Sequence, residues 1–155
     1  MTVVFDAEPL IAFAFDEPGA ATVEVWLDRV YDGDRAGYVA TVTLAEVRYI
    51  AARKASPEQA DAHIRRLREL GLTEYEIDDC WRTAAELKRR HALALGDAYA
   101  VAAAADLAAE REGVTLLVGA DDDFDAIEGD SEFEPGIEHF GSGESLDSVG
   151  FGRQN

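Results

Sequence analysis

The chain has 155 residues, enough for one domain of ordinary size with a substantial core. Apolar residues make up 48% of it, which excludes a disordered acidic tail, and no apolar run approaches the ~18 residues that span a bilayer. There are 32 acidic side chains against 14 basic ones, a formal charge of −18, and the lone Cys80 excludes an internal disulfide or a cysteine-built zinc site. Hydrophobic sequence begins at Val3 with no basic segment ahead of it, so no signal peptide is expected and a cytoplasmic location is the simplest reading.

The opening run Thr2-Val3-Val4-Phe5 is β-branched and aromatic and stops at Asp6, as a buried strand does. Ala7 to Ala14 suits a short helix with Asp6 as its N-cap and Pro9 in its first turn. Val23, Trp26, Leu27 and Val30 give Thr22 to Tyr31 a helical period. Gly33 and Gly37 are expected to bracket a turn, followed by a second strand over Tyr38 to Val42. Thr43 to Arg53 reads as a helix. Ser56 with Pro57 opens another, which stops at Gly71.

Leu72 to Ile77 reads as a short extended piece that adds a strand, and Asp78 as the cap of a helix reaching Arg90. Gly96-Asp97 begins an alanine-rich helix to Glu110, closed by Gly113. Val114 to Val118 is the clearest strand, and Ile137 to Phe140 a last short one. The expected domain is 1–140, with 141–155 a flexible tail rich in Gly, Ser and acidic residues. Strands separated by helices predict an α/β fold of three layers: a mostly parallel central sheet flanked by helices, joined by right-handed crossovers. Ligands of such sheets bind beyond the carboxyl ends of the strands. Asp6 and Asp121 both fall there.

Four of the acids stand out by context. Asp6 ends the first strand, and Glu46 lies early in a helix between Ala45 and Val47. Asp97 opens the alanine-rich helix, and Asp121 follows the strongest strand with Asp123 two residues on. Carboxylates forced together repel one another until a divalent cation relieves them. Oxygen-only donors suit hard ions such as Mg²⁺ or Mn²⁺. Such an ion can hold a phosphate, acidify a water and stabilise a leaving alkoxide. Taken singly, Asp6 and Asp97 also suit helix capping, Asp121 to Asp123 a solvated acidic loop, and Glu8 a first-turn position favoured by the helix dipole.

Four segments carry a family resemblance: Val3-Val4-Phe5-Asp6-Ala7, Thr43-Leu44-Ala45-Glu46-Val47, Leu95-Gly96-Asp97-Ala98-Tyr99, and Leu116 through Phe124. In order and spacing they resemble the signature segments of PIN-domain ribonucleases, nearest to the VapC-like toxins of toxin–antitoxin pairs. The resemblance implies a Mg²⁺- or Mn²⁺-dependent endoribonuclease, usually a homodimer, restrained by a small antitoxin. It implies Asp6, Glu46, Asp97 and Asp121 as the acidic quartet, with Asp123 a further metal ligand. Two positions depart from the pattern: Ala7 stands where the family often has Ser or Thr, and Gly119 where it often has Thr. The high acid content also resembles that of proteins from halophilic archaea. At ~1 M salt the Debye length falls to ~3 Å, so repulsion between such a surface and RNA is screened.

Rival readings follow from the same residues. A haloacid-dehalogenase-like phosphatase would need Asp-x-Asp after the first strand, where Asp6-Ala7-Glu8 stands. A degenerate domain that only binds RNA or protein would not need the four acids. RNA processing outside a toxin system would lack an upstream antitoxin gene. His63, His91 and His139 lie far apart and suit surface or internally satisfied roles. Trp26 and Trp81 are expected in the core, while Phe13 and Phe15 suit either the core or a partner groove. Arg65, Arg66, Arg68, Arg89 and Arg90 form the basic clusters, read as solvated faces or as contacts to RNA phosphates.

Overall fold

Apolar strands β1 (Thr2–Phe5) and β4 (Val114–Val118) pair in parallel at the centre of the sheet, Thr2 opposite Val114 and Phe5 opposite Leu117. The computed structural model of the chain describes residues 1–119, 123–130, 132–133 and 135–140. Outward from this pair lie β2 (Ala36–Ala40) and β3 (Thr73–Tyr75) on one side and β5 (Gly136–His139) on the other. All five are parallel, in the order β3-β2-β1-β4-β5.

The helices are α1 (Ala7–Phe15), α2 (Ala20–Tyr31), α3 (Thr41–Lys54), α4 (Pro57–Glu69), α5 (Trp81–Arg90), α6 (Leu95–Glu110) and α7 (Asp125–Glu128). Alternation along each strand splits the core in two. Val3, Phe5, Val39 and Leu117 pack with residues of α1 to α4, whereas Val4, Leu116 and Val118 pack with α5, α6 and α7. The result is the expected three-layer α/β domain. Among the described residues no single helix is long and apolar enough to cross a membrane.

Several expected boundaries shift, each for a non-local reason. The second strand starts at Ala36, because its register places Ala36 opposite Thr2 and Gly37 opposite Val3. Gly37 therefore sits within the strand, where a Cβ would come within 2.8 Å of Val30 and Leu72 side chains. α5 begins after Cys80, not at Asp78; the Cys80 amide donates to the Ile77 carbonyl at 2.9 Å, closing a turn. Trp81, expected in the core, is 50% exposed with the Arg82 guanidinium 4.3 Å from its ring centroid. Trp26 is buried as expected. Phe13 and Phe15 are half-buried against the first core, under Arg66 and Lys54 respectively. Helix α7 was not expected, being one turn long. The tail from residue 141 on lies outside the described residues.

Local signals hold where they are self-contained. Ser56 caps α4 by accepting from the Gln59 amide at 3.1 Å, and Gly71 ends the segment at φ 99°. Ser56→Ala should cost ~1 kcal/mol, the usual value of such a cap. Leu117→Ala, which opens the centre of the sheet, should cost ~2–5 kcal/mol. Both are read from the midpoint of denaturant unfolding at unchanged slope.

Candidate functional site

The strand order reverses direction between β1 and β4, and crevices form at such a switch point beyond the strand carboxyl ends. Asp6 stands there. Its amide extends the central ladder by one residue, donating to the Leu117 carbonyl at 2.9 Å. It occupies the N-cap position of α1, yet its side chain makes no capping hydrogen bond. Only 4% of Asp6 is exposed, and Oδ1 is buried without a hydrogen-bond partner among the described residues. Burial pushes its pKa well above the usual carboxylate range, and the Asp97 charge adds to this. The Ala7 amide pulls the other way, and Glu46 and Glu8 raise it further.

Glu46 comes from the second turn of α3 and is half-buried, which raises its pKa. Its carboxylate lies against Gly96 in the first turn of α6, where a Cβ would overlap it. Gly96 thus permits the close approach of two helices that brings Glu46 beside Asp97. Asp97 is the third residue of α6, which starts at Leu95 with Ala94 as N-cap, so Asp97 is a first-turn acid and not the cap. Its position gains from the helix dipole.

Asp6, Glu46, Asp97 and Asp123 share one cleft of about 230 Å³. Ile11, Ile50 and Phe124 form its apolar walls, and among the described residues no basic side chain lines it. At roughly 30 Å³ per water, the volume holds an ion and several waters. Asp121 and Asp122 lie outside the described residues. Glu8 also lines this cleft, and sequence reasoning, which assigned it to the helix dipole, missed it. The available signal was its place two residues after Asp6. Thr43, one turn before Glu46, is fully buried with an unpartnered hydroxyl among the described residues.

The donor chemistry fits a hard divalent cation. Among the described residues every ionisable group lining the cleft is a carboxyl, and one buried oxygen lacks a partner, a costly state that a cation relieves. No thiol chemistry competes: Cys80 is buried, which pushes its thiol up to about 11, aided by Asp106 and Asp79.

A second group of donors, unforeseen in the sequence, lies at the neighbouring strand end. Asp125, Glu128 and His139 place one ligand atom each within 4.8 Å of one another. His139 Nδ1 lies 2.7 Å from the Gly119 carbonyl, and Nε2 contacts the Glu128 carboxylate. Both partners are acceptors, so both ring nitrogens donate and the ring is an imidazolium. Burial opposes that charge, but the Glu128 and Gly119 hydrogen bonds and the charges of Glu128 and Asp125 outweigh it and raise the pKa. This trio ties β5 and α7 to the end of β4. His63 and His91 are satisfied as expected, by the Leu10 carbonyl at 3.1 Å and Asp130 at 3.2 Å.

The fold and cleft define an α/β domain with a carboxylate site at a sheet switch point. The PIN domain family profile matches residues 3–130, and the chain belongs to that family. A search of curated proteins finds no match. Among solved structures the chain is similar to VapBC2 from Rickettsia felis, determined bound to a DNA fragment from their promoter. The TM-score is 0.69 at 14% identity, covering 90% of this chain and 98% of that one. It is also similar to VapBC-1 from nontypeable Haemophilus influenzae, with TM-score 0.56, 13% identity and the same coverages.

Two outcomes test these electrostatics. Asp6→Asn removes a charge that burial disfavours, so the metal-free variant should melt higher at neutral pH, by about 2–4 °C for each ~1 kcal/mol relieved. The raised His139 pKa adds stability that is complete below ~6.5 and is lost as pH rises through the folded-state value. Urea unfolding across that window should show this slope, and His139→Gln should flatten it.

Proposed function

We propose that this PIN domain is a metal-dependent endoribonuclease in which Asp6, Glu46 and Asp97 hold Mg²⁺ or Mn²⁺. Asp121 completes the site directly or through water, and Asp123 serves as a further ligand from the rim. The observation that carries this reading is Asp6 Oδ1, buried and unpartnered in a cleft it shares with Glu46 and Asp97. When bound, such an ion supplies charge neutralisation at the scissile phosphate and a water acidic enough to attack it. The carboxylates orient the ion and its waters. The walls formed by Ile11, Ile50 and Phe124 limit access of bulk water.

The likeness to two VapBC assemblies favours a toxin role, with a small antitoxin and a homodimer as partners, over RNA processing outside such a system. A cytoplasmic site of action and a high-salt interior fit this reading. The charge of −18 repels RNA unless salt screens it. Backbone contacts would fall to the groove of about 500 Å³ between α3 and α4, lined by Arg48, Arg65 and Arg68. Arg48 pairs with Asp61 and Arg68 with Glu74, whereas Arg65 has no ion-pair partner among the described residues. Arg89 and Arg90 are engaged by Glu86, Asp130 and Glu132.

The test is cleavage of mixed RNA at high salt with Mn²⁺, and again with EDTA. Cutting should require the metal and leave 5′-phosphate and 3′-hydroxyl ends. Asp6→Asn and Asp97→Asn should each lower the rate by about 100-fold or more, beyond the ~10–100-fold that outer partners of a metal cost. Unchanged cutting by both folded variants would defeat the assignment. A small antitoxin gene immediately upstream would separate the toxin role from RNA processing.

A further inference from the structure

Glu8 is the second residue of α1, where a first-turn acid ordinarily faces solvent and its own helix amides. Here it lines the acid cleft, and its carboxylate lies against Gly119, the residue that leaves β4. A Cβ at position 119 would overlap that carboxylate. Gly119 is not among the glycines of positive φ, which are Gly19, Gly33, Gly71 and Gly113. Its backbone therefore has no need of glycine; the space above it does. The space that a side chain at 119 would take is filled by the end of Glu8.

An acid brought toward Asp6, Glu46 and Asp97 raises the repulsion already stored there. Asp6 Oδ1, buried and without a hydrogen-bond partner among the described residues, marks the same cleft as a place prepared for a cation.

Building on the metal-site reading above, we infer that Glu8, seated on Gly119, is an additional carboxylate of the cation site and strengthens divalent metal binding. Glu8 and Gly119 then form one device. Gly119 forgoes a side chain so that Glu8 can close the outer side of the cleft, directly or through a water of the ion.

The test is Mn²⁺ titration of the full chain by calorimetry, with free Mn²⁺ followed in parallel by electron paramagnetic resonance. Glu8→Gln keeps the shape of the side chain and removes its charge. Gly119→Ala keeps Glu8 and expels its carboxylate from the seat. Each should weaken Mn²⁺ binding by about 10-fold, within the range that supporting groups of metal sites cost. The double variant should bind no more weakly than Glu8→Gln alone, because both changes remove one interaction. Thermal melts establish that each variant is folded.

Wild-type affinity in a folded Glu8→Gln variant would overturn the inference, as would additive losses in the double variant. Asp6→Asn keeps the two readings apart. If it abolishes Mn²⁺ binding while Glu8→Gln retains wild-type affinity, the metal site stands and the role of Glu8 falls. If the wild-type chain binds no Mn²⁺, both fall together.

Discussion

β1 and β4 lie side by side in the sheet, buried on both faces, and their ladder runs one residue past the end of β1, where the Asp6 amide meets the Leu117 carbonyl. That extra rung fixes the position of a carboxylate that is almost wholly buried. Strand hydrogen bonding and the two apolar cores supply the free energy that holds it there, since a buried charge without a partner is costly. The other acids of the cleft are arranged around this one constraint. Glu46 reaches it from α3, Asp97 from the first turn of α6, and Glu8 from the first turn of α1.

Glycines make that convergence possible by giving up side chains at two contacts. At Gly96 the missing Cβ admits the Glu46 carboxylate against α6, and at Gly119 it admits Glu8 against the end of β4. Neither position carries the positive φ that explains Gly33 or Gly71. The site is thus built by close approach of backbone to carboxylate. The outcome is a cluster of carboxyl groups whose mutual repulsion raises the Asp6 pKa beyond what burial does alone. Next to it, the imidazolium of His139 between the Gly119 carbonyl and Glu128 supplies a positive charge inside the fold. It anchors the strand end from which the remaining acidic segment departs.

The surface obeys a different balance. A formal charge of −18 repels polyanions at low ionic strength. The arginines are therefore informative by location. Most are drawn into pairs with neighbouring acids or lie over aromatic rings, as Arg35 does over Trp26 and Arg66 over Phe13. The groove between α3 and α4 gathers three of them along one face.

The sequence by itself determined the class of fold and most of its elements. Helical and strand periods, the Ser56-Pro57 start and the Gly71 stop are local properties, and β1 and β4 were legible from their unbroken apolar runs. It also singled out Asp6, Glu46, Asp97 and Asp123, which one cleft now contains, through their positions after strands and in helix turns. Asp121 lies outside the described residues. Only tertiary structure decided what depends on partners distant in the chain. The register of β2 against β1 drew Gly37 into a strand, and packing of α5 on α6 buried Ala84 while leaving Trp81 outside. Glu8 and His139 acquired their positions in the same way. Each meets a backbone group at Gly119, more than one hundred residues away for Glu8 and twenty for His139. Periodicity reports which face of an element is apolar, but it carries no information about which distant atom fills the space above a particular glycine.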